Sequence, residues 1–151
     1  MARWLTALAA TLVLACGSDE EVTEILVVVD SDIPALREVI VAVEGLQGEQ
    51  ASSALLGEGR EPLPRVLGVV HEGGELGPTT IAAFGVIAND VVAVEQRFRV
   101  SFVQGETMQL DMMLSESCVA VQGTCQEGET CVEGECQPDD DVELTAWMGE
   151  P

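Results

Sequence analysis

Between Val94 and Leu114 the chain alternates apolar and polar side chains with a period of two, interrupted once by Gln104-Gly105-Glu106. Val94, Phe98, Val100 and Phe102 share one face, with Gln96 as the exception, and Glu95, Arg97, Arg99 and Ser101 lie opposite. In the second run Met108, Leu110, Met112 and Leu114 share a face, Gln109, Asp111 and Ser115 oppose them, and Met113 is out of pattern. A helix would repeat its apolar positions at three and four, which neither run does. Both therefore read as half-buried strands joined by a turn.

Earlier segments fit the same picture. Residues 24–29 form a short apolar run that Asp30 to Pro34 breaks, and residues 38–44 are apolar between two glutamates. Residues 45–64, rich in Gly, Ser and Glu, are expected to form a long loop with one helical turn around 52–56. A third strand is expected at 65–71, ended by Gly73-Gly74, and a fourth at 79–88, with Asn89-Asp90 as a tight turn into the fifth. Short strands at this spacing predict an all-β fold, an antiparallel β-sandwich. Valine, isoleucine and leucine must supply the core, which again favours strands. At 47 % apolar residues the chain is no disordered acidic polymer. The balance of 27 acids against six arginines, with no lysine, gives a net charge of -21. Such a surface repels phosphate, so no nucleic-acid partner is expected.

The N-terminus speaks to compartment. Arg3 precedes the apolar run 4–15, whose twelve residues fall short of the roughly 20 needed to span a bilayer. A charged start and a short apolar region make a secretory signal. The run ends in Val13-Leu14-Ala15-Cys16-Gly17-Ser18, which resembles the lipobox of bacterial lipoproteins. Ala15 and Cys16 match it well and Val13 adequately, while Leu14 departs from the smaller residue common there. The resemblance implies cleavage before Cys16, diacylation of its thiol and often acylation of the new amine, and two or three chains anchor a protein firmly. Gly17 is not the aspartate that retains such proteins at the inner membrane, so the resemblance implies outer-membrane sorting. Residues 16–24 then form an acidic tether reaching about 30 Å. Without residues 1–15, the aromatic set is Phe84, Phe98, Phe102 and Trp147.

Four cysteines cluster as Cys118, Cys125, Cys131 and Cys136. An even count in an exported chain reads as two disulfides, for which three pairings exist. Zinc is disfavoured, because the gaps of six, five and four residues exceed the usual ligand spacing and no histidine joins them. The arrangement is similar to the interleaved half of small EGF-like modules, with four of their six cysteines. That likeness implies Cys118 with Cys131 and Cys125 with Cys136.

The layout as a whole resembles a group of uncharacterised lipoproteins of myxobacterial type, carried by the Cys16 box, the strand Arg97-Phe98-Arg99-Val100-Ser101-Phe102 and the Cys118–Cys136 cluster. The resemblance implies an immunoglobulin-like or transthyretin-like (carboxypeptidase-regulatory-like) sandwich with a disulfide-stapled C-terminal segment, and no established activity. The expected organisation is a signal at 1–15, a lipidated tether at 16–24, the sandwich at 25–115, a cysteine-rich module at 116–138 and an acidic tail at 139–151.

No catalytic residue, metal ligand or cofactor is expected. His71, the single histidine, stands at a strand end beside Glu72, and nucleophilic catalysis needs a base placed against a nucleophile. A carboxylate pair for glycoside hydrolysis is weakly supported, because sugar sites stack rings on exposed aromatics and only Trp147 is expected to be free. Asp30-Ser31-Asp32 and Asp139-Asp140-Asp141 are the places for a hard cation, but an EF-hand loop beginning at Asp30 has Ala35 where glycine is required. They read as solvated acidic turns. The expectation is a non-catalytic, membrane-anchored module of the cell envelope with a protein or glycan partner. The alternative is a carbohydrate- or cation-binding module.

Overall fold

The computed structural model describes residues 22–45, 48–140 and 142–149. The expected signal at 1–15 and the expected lipidation position Cys16 lie outside the described residues. Two four-stranded sheets face each other across a shared core. One has the order β10-β7-β1-β4 and the other β3-β2-β5-β6, where β1 is Glu24–Ser31, β2 Glu38–Gly45, β3 Gly48–Leu55, β4 Arg65–Val70, β5 Thr79–Ile87, β6 Val91–Val100, β7 Thr107–Leu114 and β10 Thr145–Ala146. A short helix α1 (Glu116–Val119) and the hairpin of β8 (Glu129–Val132) and β9 (Glu135–Pro138) complete the chain. Among the described residues no helix is long and apolar enough to cross a membrane.

Period-two patterning becomes the core directly. Ile25, Val27 and Val29 of β1, Val94, Phe98 and Val100 of β6, and Leu110, Met112 and Leu114 of β7 are all buried, whereas Met113 faces out at 43 % exposure. All pairings are antiparallel except β1 with β7, which runs parallel from Glu24↔Thr107 to Ser31↔Leu114. The reason is parity. Each connection reverses the chain, and β1 and β7 are six connections apart, so as neighbours they point the same way. Parallel neighbours cannot be joined by a hairpin, and here the whole sandwich is their crossover.

Two sequence expectations are corrected. Residues 45–64 are not one loop with a helical turn at 52–56, because β3 occupies Gly48–Leu55 and pairs with β2 from Glu38↔Leu55 to Gly45↔Gly48. Only Ala54 of β3 is buried. An edge strand with so little core contact is held by main-chain bonds, so it carries no apolar alternation to read. The segment at 139–151 is not simply a solvated tail either. Asp139 is 7 % exposed, and β10 lies on the edge of β7. Gln96, the exception in the β6 pattern, is buried because the cysteine module packs there, and its Nε2 donates to the Cys131 carbonyl at 3.2 Å.

That module caps the free edge of β6. The Arg97 amide donates to Thr130 Oγ1 at 2.9 Å and the Arg99 amide to the Asp139 carbonyl at 2.7 Å. The Arg99 guanidinium also pairs with Asp139 Oδ1 at 3.1 Å and Asp140 Oδ2 at 3.2 Å. Asp139→Asn should therefore cost about 1–2 kcal/mol in urea unfolding, below the value for a fully buried pair because the Arg99 side chain is 46 % exposed. An unchanged midpoint would mean that the main-chain bond alone seats the module.

Candidate functional site

A concavity with apolar walls lies at one end of the sandwich, where β4 of one sheet stands apart from β2 and β3 of the other. It is a cleft of about 320 Å³ with Val43, Val69 and Phe102 among its walls. Its rim is the connection from β4 to β5, residues 71–78. Two features fix that rim. The Phe102 amide donates to the Leu76 carbonyl at 2.6 Å. Gly77 has φ +147, and a Cβ there would stand 2.9 Å from the Ser101 Cα, so only glycine passes. At the β2 side Thr79 Oγ1 donates to the Glu44 carbonyl at 2.9 Å.

His71 stands at the mouth, half-buried, its ring tilted 49° against Phe102 with centroids 5.1 Å apart. Its Nε2 donates to the Glu75 carbonyl at 3.0 Å, and its main-chain amide donates to the Thr23 carbonyl at 2.9 Å. Both partners are main-chain oxygens, so His71 ties the rim to the start of β1 through its amide and buttresses the loop through its ring. Among the described residues Glu72 and Glu75 line the cleft and no arginine does.

The other residues singled out in the sequence lie elsewhere. Cys118 is bonded to Cys131 and Cys125 to Cys136. The first bridge is buried, and Cys118 Sγ also accepts from the Gly134 amide at 3.4 Å. In the turn at Asp30-Ser31-Asp32 the polar groups are engaged in folding. Ser31 Oγ donates to the Leu114 carbonyl at 2.7 Å, and Asp32 Oδ1 accepts from the Glu116 amide at 2.6 Å at the start of α1. Negative charge is favourable there, where helix amides are unsatisfied. Among the described residues no group of three or more His, Cys, Asp or Glu is placed to hold a metal ion. Trp147 is half-buried, and its amide donates to the Thr107 carbonyl at 3.0 Å, so it extends the β7 edge and is not a free platform.

The sequence pointed to His71 but not to the cleft around it. Val43, Val69 and Phe102 lie far apart in the chain, and only the gap between β4 and β2 joins them. No protein-family model matches the chain, and no curated protein or solved structure matches it.

Proposed function

We propose that the protein is a non-catalytic, lipid-anchored module of the outer envelope that holds a partner at the His71 cleft. The observation that carries this reading is the pair of interleaved disulfides in the C-terminal module. Such bonds persist in oxidising, extracytoplasmic compartments, and the lipobox-like Val13-Leu14-Ala15-Cys16 supplies the route there. Two or three acyl chains at Cys16 anchor the chain firmly. Thr23, which meets His71 at the cleft mouth, is seven residues from Cys16. Extended chain of that length reaches about 25 Å, so the anchor keeps the cleft close to the membrane surface. The role is one of position, with the sandwich as a rigid mount and the cleft as the contact.

Mass spectrometry of the unreduced protein from a Gram-negative membrane fraction tests the reading. The expected species begins at Cys16, carries acyl chains on it and retains both disulfides. An unprocessed N-terminus with four free thiols in the C-terminal module would overturn it.

A further inference from the structure

The sandwich leaves one strand edge chemically unguarded. Edge strands present unpaired amides and carbonyls that template further pairing, and proteins normally blunt them with charge, proline, bulges or a covering segment. The cysteine module covers β6, β10 is only two residues long, and β3 has a polar sequence that includes Glu49. β4 has such devices only at its start, where Pro64 precedes it and Arg65 pairs with Glu61, and none from Val66 to Val70. Among the described residues its only sheet partner is β1, and Val66 and Val70 are 53 % and 54 % exposed.

The hydrogen-bond phase identifies the free groups. The His71 amide points to Thr23, so by the alternation of an antiparallel ladder the amides and carbonyls of Val66, Gly68 and Val70 point away from β1. Among the described residues nothing is bonded to them. Val69, on the inward phase, leads into the cleft. On the outward phase Gly68 has no side chain, and the Glu24 carboxylate lies over it where a Cβ would stand. Glu24, Glu72 and Glu75 make no ion pair among the described residues.

We propose that the free edge of β4 binds an extended, cationic peptide segment by strand addition, with its inward side chains entering the His71 cleft. The proposal rests on reading that cleft as the contact surface. Main-chain bonds to Val66, Gly68 and Val70 supply affinity, and alternate side chains supply specificity. Inward positions meet Val69 and Phe102 and must be apolar. Outward positions meet the Glu24 carboxylate over Gly68 and must be lysine or arginine. A second copy of the chain is the wrong occupant, because two surfaces of charge -21 repel each other.

The test uses the full chain in non-ionic detergent and a fluorescein-labelled hexapeptide alternating valine and lysine. Saturable one-to-one binding is expected, with new hydrogen-exchange protection at the amides of Val66, Gly68 and Val70. Val70→Pro removes an outward amide, a change that edge strands tolerate, and should weaken binding at least tenfold with the melting temperature retained. Glu24→Gln should weaken it several-fold, while Glu127→Gln, an equal loss of charge in the cysteine module, should not. A peptide alternating proline and lysine should not bind. Equal binding by that peptide, unchanged binding by a folded Val70→Pro variant, absence of protection at the three amides, or a dimer in sedimentation that protects them instead would each overturn strand addition. Failure here with an acylated Cys16 leaves the anchored module standing, and peptide binding with an unmodified Cys16 does the reverse.

Discussion

Leu110→Ala should destabilise the protein by about 3 kcal/mol, within the 2–5 kcal/mol range of buried leucine truncations. Leu110 is fully buried at the centre of β7 and sits opposite Val27 in the parallel pairing with β1. Both sheets contribute to the surrounding core, with Phe98 and Ile81 facing from the β3-β2-β5-β6 sheet. A cavity there cannot be filled by water and can collapse only if both sheets move. Domains of this size are stable by roughly 5–15 kcal/mol, so one such change removes a large share. Met113→Ala on the same strand is the control. That side chain is 43 % exposed, and its loss should change stability by no more than about 0.5 kcal/mol. Urea unfolding of the two variants separates them, and a loss below 1 kcal/mol for Leu110→Ala would contradict a close-packed interior at β1 and β7.

Removing the buried bridge should have a comparable but local effect. Cys118–Cys131 spans 13 residues and Cys125–Cys136 spans 11, and closing loops of about that length contributes roughly 3 kcal/mol each. The module they staple has a two-stranded hairpin and a helix of four residues, too little structure to hold itself. The joint replacement Cys118→Ala and Cys131→Ala should therefore loosen residues 116–140 first. Hydrogen exchange gives the readout, because the Arg97 and Arg99 amides are held by Thr130 and Asp139 of that module. Those two amides should lose protection while the amides between β1 and β7 keep theirs. Equal loss at both places would show that the module belongs to one cooperative unit with the sandwich.

The two predictions mark different kinds of information in the chain. Leu110 was visible as a core residue because it sits in a strict alternation, and the disulfide pairing implied by the EGF-like resemblance is the one the fold holds. β3 was invisible for the opposite reason, since a strand exposed along most of its length is selected by the backbone of β2 and not by its own side chains. Gln96 looked like an error in the pattern until β8 supplied the Cys131 carbonyl as its partner. Asp139 looked like one acid in an acidic run until Arg99, 40 residues earlier, met it.

The amino-acid sequence alone determined that this protein is built of strands, which faces of β6 and β7 turn inward, and that four of its five cysteines lie in one separate block. These are local properties, set by side-chain period and spacing within a few residues. The tertiary structure decided that β1 and β7 lie parallel, that β4 is left with an open edge and that His71 borders a cleft. Each of these depends on which distant strands become neighbours, and that choice is made by closing one shared core between two sheets, a constraint no single segment carries.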